Sequence, residues 1–184
     1  MDYIYDMKKI LFLFIIVVFL TACGVEKAAP KVERPEQEDL SLTKTFYQQE
    51  LGYSINYPGE WLRDDDKKNF TLGFSNGKVA IKIQNLESEE GLTKILEDFK
   101  EGFPKMETLE ISDPQTYMHG DLEGVMFDAE YSIAKGEKFK QHQIIVPHPA
   151  GRVFFAWSYT AIADQYDKYL PTALEMLGSW DILQ

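Results

Sequence analysis

Three histidines, a run of three aspartates and a single cysteine are the side chains of this 184-residue chain whose types and spacing invite a chemical reading. His142 and His148 sit on one alternating stretch and the turn after it. At a strand rise of ~3.3 Å per residue they would stand about 20 Å apart, too far to share a metal. His119, beside Gly120, has no helical i, i+4 partner of the metal-ligand kind. Asp64-Asp65-Asp66 lacks the alternating acids, glycine and distant glutamate of an EF-hand loop, and Lys67-Lys68 follows at once. The expectation there is a solvated loop between strands, with a weak surface Ca²⁺ site at Asp64, Asp65 and Asp66 as the one metal reading left open. Glu87, Glu89 and Glu90 read as the acidic first turn of a helix. The phosphate-loop motif is absent from the sequence. Gly73-Phe74-Ser75-Asn76-Gly77 has the bare G-x-S-x-G spacing, and Ser41, Ser75 and Ser132 the bare S-x-x-K spacing. The first runs into an Asn-Gly hairpin signal where a nucleophile elbow needs a strand-to-helix turn. A Ser/His/Asp set built from Ser132 or Ser158 finds no support in order or spacing. The expectation is therefore a non-enzyme without a cofactor.

The cysteine is different because its context is specific. Residues 10–20 form an apolar run of about eleven residues, or roughly 16 Å of helix. A bilayer core of ~30 Å needs about 20 residues, so the run is too short to span. It has the length of a secretory h-region, with Lys8 and Lys9 just ahead. Leu20-Thr21-Ala22-Cys23 resembles the L-x-[AG]-C lipobox of bacterial lipoproteins. That resemblance implies lipidation of the Cys23 thiol and removal of residues 1–22. The mature chain would then be held to a membrane by acyl chains on the extracytoplasmic face, more than one chain being needed for stable anchoring. Asp2 and Asp6 spoil the basic character of such a leader, and initiation at Met7 would restore it.

Composition sets further limits. A net charge of -11 argues against nucleic acid, which needs clustered Lys and Arg. It argues equally against docking on anionic lipid heads. Residues 23–44 carry two prolines and many charges and read as a flexible tether, leaving 45–184 as one domain. With 45% hydrophobic and 14% aromatic residues, that domain has ample material for a core.

Within 45–184 the elements must position whatever site exists. Tyr53, Ile55 and Tyr57 alternate before Pro58-Gly59. Phe70, Leu72 and Phe74 alternate before Asn76-Gly77, a pair that predicts a type I′ hairpin turn into Val79, Ile81 and Ile83. Ser88 is a candidate cap for a helix carrying Leu92, Ile95, Leu96, Phe99 and Phe103, stopped by Gly102 and Pro104. Val125 to Ile133 alternate strictly, Phe139 to Val146 return, and Val153 to Ala161 show two apolar faces, as a central strand does. A second helix is expected over 164–178, kinked or restarted at Pro171. The pattern is an α+β domain, an antiparallel sheet packed by helices.

"LGYSINYPGEW" at 51–61 and the aromatic strand, helix and Ser179-Trp180 ending together resemble the PsbP-like domain family. The resemblance implies an α-β-α sandwich, an antiparallel sheet with helices packed on both faces. It also implies docking to a larger partner in place of catalysis. The family's namesake is a photosystem II subunit, a related fold binds a small nuclear GTPase, and many bacterial members are lipoproteins. The functional expectation is a lipid-anchored accessory module that docks to another envelope protein. Alternatives are a small-ligand or weak Ca²⁺-binding lipoprotein, then a hydrolase. Trp61, just after a turn, and Phe154, if its face is uncovered, are the candidate interface aromatics.

Overall fold

Period-two alternation of large apolar side chains produces strands wherever it occurs. The computed structural model describes residues 40–66, 71–101, 106, 108–133, 136–149 and 151–183. Its first strands are β1 (Leu42–Gln48), β2 (Tyr53–Pro58), β3 (Leu62–Asp66), β4 (Thr71–Ser75) and β5 (Val79–Glu87). Helix α1 (Leu92–Glu101) follows, then β6 (Thr108–Ile111), β7 (Gln115–His119), β8 (Leu122–Ile133), β9 (Glu137–Pro147) and β10 (Val153–Ile162). Helix α2 (Ala163–Gly178) and the short β11 (Asp181–Ile182) close the described chain.

The strands make two antiparallel sheets. The smaller runs β1-β2-β11, and the larger runs β3-β4-β5-β10-β9-β8-β6, with β7 also paired to β8. Strand β10 is central, with one apolar face and a second on which Ser158 and Thr160 follow Phe154 and Ala156. Phe155, Trp157 and Tyr159 point one way, with Ile144 and Val146 of β9 and Ile81 and Ile83 of β5. This face packs against Ile55 and Tyr57 of the small sheet and against Tyr169, Ala173 and Met176 of α2. Ser179 fastens the end of α2 to β2, its hydroxyl accepting from Asn56 N (3.0 Å) and donating to Met176 O (2.8 Å).

An α-β-α sandwich with helices on both faces does not form. Of the described residues, 58% lie in strands and only 20% in two helices. The cause is visible in the strands. Away from the main core, the opposite face of the large sheet is mixed. Lys82, Gln84, Gln141, Ser158 and Thr160 interrupt the apolar Phe127, Ala129, Tyr131, Ile145 and Ala156, so no continuous apolar surface is offered to a helix. Helix α1 buries only Ile95 and Phe99 there, against Phe127, Ile145 and Ala156 at one end.

Local expectations shift in three places. The Asn-Gly turn has positive φ at Gly77 alone (+84°), so its central pair is Gly77-Lys78, the φ pattern of a II′ turn, not I′. Asn76 serves it from the side, its Oδ1 accepting from the amides of Lys78 (3.0 Å) and Val79 (3.2 Å). Ser88 does not cap α1. Its hydroxyl accepts from Glu90 N (3.2 Å) in a turn ahead of the helix, whose first backbone bond runs from Ile95 N to Gly91 O (3.4 Å). Glu89 and Glu90 therefore precede the first turn, which holds no acid. The aspartate run is not a loop but strand β3, and β1 begins at Leu42, inside the stretch read as tether.

Candidate functional site

The open side of the large sheet is organised in rows. Cross-strand register places Asp64, Gly73, Lys82, Ser158, Gln143 and Phe127 side by side across β3, β4, β5, β10, β9 and β8. Residues directly opposite in an antiparallel pair share a face, so this row is one polar strip ending under α1. Gln143 is 1% exposed and fully engaged: its Nε2 donates to Trp157 O (2.9 Å), and its Oε1 accepts from Gln141 Nε2 (2.9 Å). Gln84 Nε2 reaches Thr71 Oγ1 at 3.5 Å in the next row. Tyr131 is pushed to about 12 by burial, against the opposing pull of a side-chain hydrogen bond with Thr160.

Lys82 stands at the middle of the strip. Burial lowers its pKa from the ordinary lysine value, and Asp64 pulls the other way. Gly73 lies between the two, and no hydrogen bond or ion pair within the described residues holds the ammonium. An unpaired, half-buried cation is costly to keep, and its solvation is completed when a partner supplies an anion.

A second feature lies where the small sheet meets the edge of the large one. Phe46, Tyr47, Gln48, Gln49, Glu50, Tyr53, Asp65, Thr71 and Leu72 line an open cleft of about 300 Å³. Tyr47 is 67% exposed at its mouth. Tyr53 is 2% exposed, its ring edge-on to Phe155 (5.4 Å) and Trp180 (6.4 Å). Burial, then the Asp65 carboxylate, raises its phenol well above the ordinary tyrosine value. The Tyr53 hydroxyl has no hydrogen-bond partner among the described residues, and the carboxylates of Glu50 and Asp65 have neither hydrogen bond nor ion pair there.

The residues singled out from sequence are scattered. Trp61 is 3% exposed within the main core, so it cannot anchor a partner as expected; its indole N–H is buried without a partner. Phe154 is half-buried and packs with the α1 cluster. Strand alternation sends Asp64 and Asp66 to one face and Asp65 to the other, where it lines the cleft, so the three do not converge. Among the described residues no three His, Cys, Asp or Glu side chains are grouped to hold a metal.

The histidines each have separate company. His119 Nε2 donates to Trp180 O (2.7 Å), His142 Nδ1 meets Asp128 Oδ1 (2.7 Å), and the His148 ring lies 5.2 Å from Phe155. Ser132 accepts from Thr108 Oγ1 (2.9 Å), and Ser158 neighbours Lys82 on the face away from His142. Asp128 stands between His142 and Ser112, whose hydroxyl accepts from Asp128 N (2.9 Å), and neither Ser132 nor Ser158 is the serine of that group. Cys23, the leader and the start of the tether lie outside them. Among the described residues no helix is long and apolar enough to cross a membrane.

Neither a family model nor a curated protein matches the sequence. Solved structures do. Cyanobacterial PsbP (CyanoP) from Synechocystis sp. PCC 6803 superposes with a TM-score of 0.57 at 9% identity, covering 76% of this chain and 91% of that one. The fold is PsbP-like. LpqN of Mycobacterium tuberculosis, described as involved in cell envelope biogenesis, matches at 0.57 and 13% identity over 77% of this chain and 90% of its own. The Ran-binding protein Mog1p of Saccharomyces cerevisiae matches at 0.53 and 10%, over 78% and 97%. A Bacteroides thetaiotaomicron protein matches at 0.54 and 14%, over 78% of this chain but only 50% of that one. At identities of 9–14% these likenesses show the fold and carry no activity.

The sequence carries a signal for the strip. Lys82 and Gln84 on β5 and Ser158 and Thr160 on β10 are polar at alternate positions of two adjacent central strands. A buried central strand should be apolar on both faces, so this pattern marks an uncovered one.

Proposed function

We propose that this protein is a lipid-anchored, extracytoplasmic docking module that works without catalysis of its own, held to its membrane through Cys23. The polar strip centred on Lys82 is its docking surface, and the partner is another envelope protein that presents a carboxylate to Lys82. The observation that carries this reading is the half-buried ammonium of Lys82 without an ion-pair partner among the described residues, in a row of hydrogen-bonding side chains that α1 covers only at its β8 end. The PsbP-like fold supports it, because Mog1p is a Ran-binding protein and LpqN is described in envelope biogenesis. The lipobox resemblance supports the anchor.

Two experiments separate the parts. Cys23→Ser should release the chain from membranes; an unchanged membrane fraction removes the anchor. Lys82→Glu should abolish recovery of the crosslinked partner complex from detergent-solubilised membranes, and undiminished recovery removes the docking surface. The cleft favours a second reading, a small-ligand-binding lipoprotein.

A further inference from the structure

The cleft between the two sheets has a chemistry of its own, independent of the docking strip. Its acidic side chains are Glu50 and Asp65, and its described lining contains no cation. The nearest guanidinium, Arg63, is placed over the Phe46 ring, 4.9 Å from its centroid. Two carboxylates with no ion pair among the described residues therefore face a void of about 300 Å³, at the lower end of ligand-pocket sizes. Beside them stands Tyr53, 2% exposed and with its hydroxyl unpartnered. A hydroxyl without a protein partner at the wall of a cleft is a place for a ligand atom. Aromatic rings of Phe46, Tyr47 and Tyr53 complete the lining, and π faces attract cations.

We propose that this cleft binds a small organic molecule through a primary ammonium group, with the Asp65 and Glu50 carboxylates and the Tyr53 hydroxyl accepting its N–H donors.

The lining argues against the neighbouring classes of ligand. A quaternary ammonium has no N–H for the Tyr53 hydroxyl to accept. A neutral sugar leaves two carboxylates without a counter-charge. A calcium ion wants six to eight oxygens, and no three acidic or histidine ligands are grouped among the described residues. The small volume favours a free amine over a protein surface loop.

The test is calorimetric titration of the detergent-solubilised full chain with cadaverine. Tetramethylammonium, glucose, calcium chloride and a lysine-bearing peptide are titrated in parallel. Saturable one-to-one binding of cadaverine that weakens with added salt is the expected result. Asp65→Asn and Tyr53→Phe should each weaken it about tenfold, the effect of losing a hydrogen bond to a charged group. Glu50→Gln, on an exposed loop position, should weaken it less and leaves folding out of the question. Unfolding midpoints of the first two variants show whether they remain folded; Glu50→Gln decides if they do not. Cadaverine binding unchanged in the folded variants overturns the proposal. So does no cadaverine binding, or preference for calcium, glucose, tetramethylammonium or the peptide.

Discussion

Trp157 and Ser158 are neighbours on β10, and they belong to different worlds. Trp157 is completely buried among Ile83, Ile144 and the residues of α2, on the face that the small sheet and α2 seal. Ser158 points the other way, beside Lys82 and Gln143, on a face that α1 covers only at one end. One strand therefore supplies stability from one side and a polar surface from the other. The difference teaches where to look for function in a PsbP-like domain. The sealed face is fixed by packing, whereas the open face keeps an unpaired lysine that packing alone would remove.

The sharpest break of this comparison is the pair itself. Trp157→Ala should cost about 3–5 kcal/mol in urea unfolding, because it removes a fully buried aromatic. Ser158→Ala should stay within about 0.5 kcal/mol, as surface changes do. Equal losses at the two positions would erase the distinction between the faces.

Alkaline pH should act next, with buried phenols on both sides, Tyr131 of the open side among them, opposed by Lys82. Tyr53, Tyr159 and Tyr166 belong to the sealed side, and burial raises all three above the ordinary value of 10.0, Tyr166 to about 12. Between those values the unfolded chain has lost phenolic protons that the native state keeps. The stability they contribute is thus complete below pH 10 and falls as pH rises through about 12. Lys82 works the other way. Its native pKa is lowered, so between that value and 10.5 the unfolded state holds more protons and stability rises with pH. Three phenols outweigh one lysine, so tyrosinate absorbance should appear together with loss of circular dichroism. Early, fully reversible titration of the phenols in a folded protein would contradict the burial.

The smallest effect concerns Lys82 alone. Lys82→Met removes a desolvated charge whose electrostatic neighbour, Asp64, is exposed and stays solvated, so stability should be unchanged or higher by about 1 kcal/mol. A loss of more than about 1 kcal/mol would mean that the ammonium supports the fold, not a docking surface.

Much of this fold is legible in the sequence because alternation and burial are the same pattern seen twice. Tyr53, Ile55 and Tyr57 of β2 and Phe155, Trp157 and Tyr159 of β10 are apolar where the core lies. Trp61 shows the limit: its place after a turn suggested exposure, but the Trp61 N to Pro58 O bond (3.1 Å) folds the turn back and buries the indole. The aspartate run also misled, since a strand paired to β4 splits Asp64 from Asp65 where a loop would gather them. The cleft was beyond reach because it joins Tyr47 and Glu50 to Asp65 and Leu72 across two sheets, and no local spacing reports that. Lys82 was within reach, but a lone lysine on a strand reads as solvated until its row neighbours are known.

The central claim is that the open face around Lys82 is the one that meets a partner. A photo-crosslinking side chain at Thr160, on the open strip, and another at Glu175, exposed on α2, can be compared in native membranes. The account predicts a discrete adduct from Thr160 that Lys82→Glu abolishes, and none from Glu175. Equal adducts from both sites, or an adduct from Glu175 alone, would contradict it.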